Sequence, residues 1–160
     1  MKKNITATLI LVAIFALSCK EDKSADPLIT GTWKIVKAEP YVKTNVDSVT
    51  RKISDFIALN DRLMLDAKLT FNTNNTCDIL YKDSVKAKTY LYNHFSKVLT
   101  IYSLPQVTFN TSISKDSMLL MKYYNNILDS AFLRDRLNII DEKNTVKITN
   151  AACIFRCGKQ

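Results

Sequence analysis

The stretch KLTFNTNNTCDILYKDSVKAKTYLYN, residues 68–93, decides the fold. It contains three runs of alternating apolar and polar side chains, rich in Thr and Tyr, which is typical of β-strands with one buried face. An Asn-rich connector and an Asp-Ser connector separate the runs. Connectors this short oblige consecutive strands to lie antiparallel. The stretch therefore predicts three neighbouring strands of an antiparallel sheet.

The same alternation continues on both sides of this stretch. Antiparallel strands that follow one another in sequence remove their free edges by closing on themselves. We therefore expect a mainly β fold, an eight-stranded antiparallel barrel with one or two short helices. A barrel of this size is either packed solid or holds one small ligand. The strands are expected at residues 29–38, 68–72, 76–82, 85–93, 97–103, 106–113, 117–124 and 145–155.

One segment, residues 47–65, follows helical rather than strand spacing, and Asp47 is a suitable N-cap for it. This amphipathic helix occupies the longest connection between predicted strands. It therefore either covers the mouth of the barrel as a lid or packs on the sheet to complete the core. Residues 125–140 are ambiguous and suit a second, shorter helix. The residues at helical spacing in the first segment are Val49, Ile53, Phe56, Ile57, Asn60 and Met64.

Composition indicates one ordinary globular domain and narrows the chemistry. Of 160 residues, 47% are hydrophobic and 24% are charged. Two glycines and one histidine exclude Gly-rich phosphate loops and every site that needs two histidines. That histidine, His94, falls in a predicted hairpin turn with no nucleophile or paired base beside it. We expect no enzyme activity, no cofactor and no metal site.

The first 18 residues are expected to be a signal peptide. Two lysines precede an apolar run, residues 5–17, which is shorter than the about 20 residues of a transmembrane helix. The segment ALSC, residues 16–19, resembles the lipobox of bacterial lipoproteins, although that motif usually has Leu where this chain has Ala16. The resemblance implies that Cys19 becomes the lipidated N-terminus. An ordinary secreted protein with a free Cys19 is the alternative.

Residues 19–27 are polar and are expected to form a tether, followed by the barrel domain at residues 28–160. The start of the tether is similar to acidic export signals of surface lipoproteins. It implies a lipid-anchored outer-membrane protein displayed at the cell surface, with the periplasmic face as the alternative. Without the signal peptide the chain has 21 basic and 15 acidic side chains. No basic cluster is interleaved with aromatic residues, so nucleic acid is not an expected partner.

Three cysteines follow Cys19, and in an oxidising compartment an odd number allows at most one disulfide within the chain. If Cys153 and Cys157 lie on one strand, they are about 13 Å apart, beyond bridging distance. Cys77 is then the expected partner of one of them, with buried free thiols as the alternative.

The segment LITGTWKI, residues 28–35, opens the first predicted strand with Gly-x-Trp. Together with the Asn-rich hairpin after the second strand, it resembles the lipocalin-like lipoproteins of bacteria over most of residues 28–124. The resemblance implies a barrel in which Trp33 plugs one end and Gly31 gives the backbone room to bend. It also implies an arginine near the last strand that stacks across the tryptophan, a role that falls to Arg156.

The resemblance further implies non-covalent binding of a small apolar or amphipathic molecule. The alternative is a filled barrel that acts through its outer surface as a partner-binding, inhibitory or envelope-structural protein. A connected apolar cavity of about 300 Å³ or more would favour ligand binding, whereas a filled axis would favour the surface. The candidate cavity and lid residues are Phe56, Ile57, Met64, Tyr81, Tyr90, Tyr92, Phe109 and Tyr123.

Overall fold

The computed structural model describes residues 26–103, 105–141, 143 and 145–160. The predicted signal peptide, Cys19 and most of the predicted tether lie outside the described residues.

Eight antiparallel strands in the described part of the chain close into a barrel in sequence order, which confirms the predicted fold class. A helix, α1 (Asp47–Asp61), follows the first strand and continues into a 3-10 turn (Arg62–Met64). A shorter helix, α2 (Ser130–Leu137), precedes the last strand. The strands are β1 (Gly31–Thr44), β2 (Lys68–Phe71), β3 (Thr76–Tyr81), β4 (Ser84–Asn93), β5 (Val98–Tyr102), β6 (Val107–Ile113), β7 (Ser117–Tyr123) and β8 (Ile148–Lys159).

The barrel closes between its first and last strands. β1 and β8 pair antiparallel from Trp33 opposite Lys159 to Thr44 opposite Ile148. A register shift at Val36 bends β1 partway along this ladder. β8 pairs with β7 on its other side, so the pairing removes the free edge that an open sheet would have.

The end of the barrel where β1 begins and β8 finishes is sealed by an aromatic ring. We call it the closed end, and we call the opposite end the mouth. Trp33 is fully buried, and its indole N–H donates to the carbonyl oxygen of Ile29 at 2.8 Å. The ammonium of Lys159 lies 5.2 Å from the centre of the Trp33 ring, within range of a cation–π interaction. Trp33 is thus held by a hydrogen bond at its indole nitrogen and by a cation over its ring.

Side chains fill the half of the barrel next to the closed end. The rings of Phe71 and Tyr90 meet edge to face, with their centres 5.0 Å apart. The Tyr90 hydroxyl donates to the carbonyl oxygen of Asn72 at 3.1 Å, so this buried polar group is satisfied. Fully buried residues that complete this packing include Cys77, Leu99 and Met118. This half is a solid core.

α1 packs mainly on β1 and turns one stripe towards the barrel. Val49, Ile53, Ile57 and Asp61 recur every four residues along the helix, and all four are buried. The stripe is apolar except for its last member. The helix therefore ends with a buried carboxylate.

Three details of α1 differ from the sequence-based expectation. Val46 is the N-cap residue, and its N–H donates to the Thr44 hydroxyl at 3.1 Å. Asp47 instead lies in the first turn, where its charge complements the N-terminus of the helix. Asn60 is exposed, because the buried stripe reaches Asp61 rather than its neighbour. The helix also ends earlier than predicted, and a 3-10 turn follows it.

The ambiguous segment, residues 125–140, contains α2. The Asp129 carboxylate caps this helix by accepting the N–H of Phe132 at 2.7 Å, and Asn138 ends it with φ +49°. No helix within the described residues has the length and apolar character needed to cross a membrane.

Cys77, Cys153 and Cys157 are free and buried, so the expected disulfide from Cys77 is not formed. Cys77 lies on β3, which does not neighbour β8 in the barrel. Burial raises the pKa of each of the three thiols to about 12. The thiolate is thereby disfavoured, and the three side chains act as small core residues.

We expect the buried thiols to make the protein less stable in alkali. The pKa of Cys77 rises from 9.0 to about 12 on burial, so the unfolded chain loses this proton first as the pH rises. The stabilisation is complete below about pH 9 and falls by up to about 1.4 kcal/mol per pH unit towards pH 12. Urea unfolding at pH 8, 10 and 11 measures this loss. The Cys77→Ala variant should lose stability less steeply; an unchanged slope would contradict the assignment.

Gly31 is the position in β1 where a side chain should be least tolerated. Its φ of +120° is a conformation that other residues rarely adopt, and a Cβ there would lie 3.2 Å from Cε of Lys159. We expect Gly31→Ala to lower the free energy of unfolding by about 2 kcal/mol in urea titrations. Gly158→Ala is the matched control, because a Cβ there meets nothing within 4 Å. Its effect should stay below about 0.5 kcal/mol, and equal effects would refute the argument.

Candidate functional site

A cavity of about 210 Å³ lies at the mouth of the barrel, beside the C-terminal end of α1. Its wall is almost wholly apolar, but it includes one carboxylate and one ammonium group. The volume falls below the about 300 Å³ at which typical pockets for drug-sized ligands begin. The lining residues are Asp61, Met64, Ile79, Ile101, Ser103, Val107, Phe109, Lys122 and Phe155.

Strand alternation directs the apolar part of this lining inward. Ile101 of β5 lies directly opposite Val107 of β6. Phe109 and Phe155 meet edge to face with their ring centres 6.1 Å apart, and they belong both to the cavity wall and to the hydrophobic core. The base of the cavity is therefore continuous with the packed interior.

A ring of hydrogen bonds forms the polar side of the cavity. The Lys122 ammonium donates to Oδ1 of Asp61 at 2.8 Å and to the Tyr124 hydroxyl at 2.7 Å. That hydroxyl donates in turn to Oδ2 of Asp61 at 2.6 Å. The ring joins the end of α1 to the end of β7, and its two charges cancel.

The polar groups of this ring are buried, so each of them needs its hydrogen-bond partner. The residues Asp61 and Tyr124 are 3% and 4% exposed. Burial, followed by the hydrogen bond to Asp61, raises the pKa of Tyr124 well above its usual range, so Tyr124 remains a hydroxyl donor. Burial, and after it the negative charge of Asp61, raise the pKa of the Cys153 thiol. Two donors, from Lys122 and Tyr124, thus converge on the carboxylate, as a buried charge requires.

The structure distributes the eight candidate cavity residues over several regions. Met64 and Phe109 line the cavity. Ile57 is fully buried in the stripe of α1 that faces the barrel. Phe56 meets the rings of Tyr124 and Phe132 edge to face. It therefore joins α1 to the end of β7 and to α2, outside the cavity.

The four tyrosines of the set lie away from the cavity wall. Tyr90 is buried in the solid half of the barrel, and Tyr92 packs against the same core. Tyr81 packs partly on the core at the end of β3, with the Lys82 ammonium over its ring. Tyr123 is 46% exposed, because the alternation of β7 turns it outward and its neighbour inward. None of the four tyrosines therefore lines the cavity, and Tyr123 differs from the other three in being exposed on the outer face.

Arg156 does not stack on the tryptophan. Its guanidinium Nε donates to Oε2 of Glu39 at 2.9 Å. This ion pair joins β8 to β1 on the outer surface and does not reach the core. Alternation explains the difference, since Phe155 and Cys157 on either side of Arg156 are buried. β8 continues to Lys159, which supplies the cation over Trp33 instead.

Asp61 and Lys122 were not among the predicted site residues, although the sequence pattern around each of them indicates burial. Asp61 continues the four-residue spacing of Val49, Ile53 and Ile57, so it occupies an apolar position of the helix. Lys122 likewise continues the inward two-residue spacing of β7. Two opposite charges, each at an apolar position of its own pattern, indicate a buried pair.

A second, larger cleft of about 630 Å³ lies outside the barrel, beside α2. Its wall mixes apolar side chains with charged ones, including Asp129, Arg134 and Asp141. The smaller cavity at the mouth is the one whose wall suits an apolar ligand.

The single histidine of the chain lies at the opposite end of the barrel from the cavity. His94 pairs with Asp26 at 2.7 Å in an exposed turn at the closed end. Among the residues that the structure describes, no three His, Cys, Asp or Glu side chains are grouped so as to hold a metal ion. Comparison of the chain with protein-family models, with curated proteins and with solved structures gives no match.

Proposed function

We propose that the barrel binds a small apolar or amphipathic molecule without covalent chemistry, in the cavity at its mouth. The observation that carries the proposal is the apolar wall built by β3, β5, β6 and β8 together with the 3-10 turn. An unfilled apolar space loses contacts that a ligand restores. The proposal therefore rests on the shape and apolar character of this space.

The volume limits the ligand. Apolar cavities of about 150 Å³ stay dry and bind benzene, whereas pockets for drug-sized molecules begin at about 300 Å³. The cavity of about 210 Å³ lies between these values. It fits a single substituted ring or a short branched chain, or one end of a longer molecule whose remainder stays outside.

We also propose that Cys19 carries a lipid and holds the protein at the outer membrane, on the cell-surface side. The described chain begins at the closed end, where Asp26 contacts His94 in the turn between β4 and β5. A tether joined there leaves the mouth facing away from the membrane. This orientation supports uptake of a ligand from the surrounding medium.

A second candidate function is partner binding through the outer surface. Two observations favour it: one half of the barrel is packed solid, and two exposed tyrosines lie on the strands on either side of β8. Tyr41 and Tyr123 lie directly opposite Ala152 from the two sides, and they are 48% and 46% exposed. Aromatic side chains of this kind are enriched at protein interfaces.

Filling the cavity should abolish binding. We expect Val107→Phe to raise the Kd for isopropenylbenzene, a small apolar probe, by at least about tenfold, because the new ring occupies the space beside Ile101. NMR titration of the methyl signals of Ile79 and Ile101 measures both the Kd and the place of binding.

Thr108→Phe is the matched control for Val107→Phe. Thr108 is the next residue of β6 and is exposed on the outer face, so the same ring there leaves the cavity open. Its Kd should stay within about twofold of the wild-type value. Equal weakening in both variants, or no binding by the wild-type protein, would overturn the proposed site.

Removing the anchor should release the protein. In the native host, Cys19→Ser should move the protein from the membrane fraction to the soluble fraction, because the thiol that would carry the acyl chains is absent. Ser18→Ala, one residue earlier, is the control and should remain with membranes. Membrane attachment of the Cys19→Ser variant would contradict lipidation.

A further inference from the structure

We propose that the cavity selects an uncharged ligand carrying a hydrogen-bond acceptor, and that Lys122 is the residue that receives this acceptor. The inference deepens the proposed function and rests on it. It follows from the hydrogen bonds and charges of Asp61, Lys122 and Tyr124 in the cavity wall.

Lys122 retains a donor for a ligand. An ammonium group has three N–H donors, and the described contacts of Lys122 use two, one to Asp61 and one to Tyr124. Its side chain is 30% exposed and lines the cavity. A ligand oxygen at the mouth can therefore accept the remaining N–H.

Asp61 is a poorer contact point for a ligand. Its side chain is 4% exposed, and donors from Lys122 and Tyr124 already occupy its two oxygens. A hydrogen-bond donor on the ligand would have to compete with them. The hydroxyl of Ser103, which also lines the cavity, donates its proton to the carbonyl oxygen of Pro105 at 2.6 Å. The accessible charged group of the cavity is thus the Lys122 ammonium, a donor, which calls for an acceptor on the ligand.

The charge balance excludes an ionic ligand. Asp61 neutralises Lys122 at 2.8 Å, so the polar side has no net charge. A carboxylate ligand would place a second negative group next to Asp61, and an amine ligand would place a second positive group next to Lys122. Neither charge would be compensated in a wall that is otherwise apolar. A ketone, ester or ether oxygen adds no charge.

Three probes of equal heavy-atom count separate these cases. Isopropenylbenzene has no acceptor, acetophenone replaces its terminal methylene carbon by a carbonyl oxygen, and benzoate carries a full negative charge. The Kd of each is measured by NMR titration of the Ile79 and Ile101 methyl signals, which lie in the cavity wall. Comparison of each probe between variants cancels its own cost of leaving water.

The first variant removes the donor and its counter-charge together, as Asp61→Asn with Lys122→Met. We expect its Kd for acetophenone to rise about tenfold, as loss of a hydrogen bond to a charged group requires. Its Kd for isopropenylbenzene should change less than about twofold, which reports an intact cavity.

The second variant, Asp61→Asn alone, leaves the ammonium without its counter-charge. We expect benzoate to bind it at least about tenfold more tightly than it binds the wild-type protein. Asp55→Asn is the matched control, because Asp55 lies on the exposed side of the same helix and the net charge changes equally. Benzoate binding by the control should equal that of the wild-type protein.

The outcomes separate the two proposals. Failure of the wild-type protein to bind isopropenylbenzene or acetophenone would overturn the cavity as a ligand site, and with it this inference. Binding of isopropenylbenzene with equal losses for both neutral probes in the double variant would assign Lys122 a purely structural role. Unchanged acetophenone binding, or no gain for benzoate in Asp61→Asn, would overturn the selectivity while the cavity remains a ligand site.

Discussion

The ladder between β1 and β8 is the constraint on which the rest of the structure depends. It joins strands that are more than a hundred residues apart in sequence, from Trp33 opposite Lys159 to Thr44 opposite Ile148. Because it closes the sheet, the inward positions of all strands face one another rather than solvent. The burial of Trp33, the packing of the aromatic rings and the cavity at the mouth all follow from that closure.

The two halves of the barrel differ because their inward residues differ. Towards the closed end the inward positions hold aromatic and aliphatic side chains, which interlock as in the contact of Phe71 with Tyr90. At the mouth, Lys122 takes one inward position of β7, and Asp61 at the end of α1 faces it. A buried ion pair must keep its hydrogen-bond geometry, so neighbouring side chains cannot collapse on it as freely as they do on an apolar group. The space beside the pair is the cavity.

Strand alternation predicted the elements well because each strand of a closed barrel has one buried face. It could not decide which face of β7 is buried, since Met118, Leu119, Leu120 and Met121 are apolar on both faces. Tyr123 is therefore a candidate cavity residue from the sequence, whereas in the structure its neighbour Lys122 lines the cavity.

Other errors arose where the sequence offers no local signal. β8 extends to Lys159, four residues beyond its predicted end, and this extension brings Lys159 rather than Arg156 over Trp33. The expected disulfide depended on which strands become neighbours, and the closed order keeps β3 away from β8. Both depend on contacts between segments that are distant in sequence, which a periodic pattern does not contain.

Most of α1 is a core element, and only its C-terminal end contributes to the wall of the cavity at the mouth. Its first three buried residues, Val49, Ile53 and Ile57, complete the core, which fixes the helix on β1. Its last buried residue, Asp61, reaches the cavity and meets Lys122, and Met64 in the following turn adds apolar wall. Besides the strands, a ligand in the cavity would therefore contact only the C-terminal end of α1 and the 3-10 turn. Because Asp61 is also hydrogen-bonded to Lys122 and Tyr124, this end of the helix is fixed to the end of β7 as well as to the core.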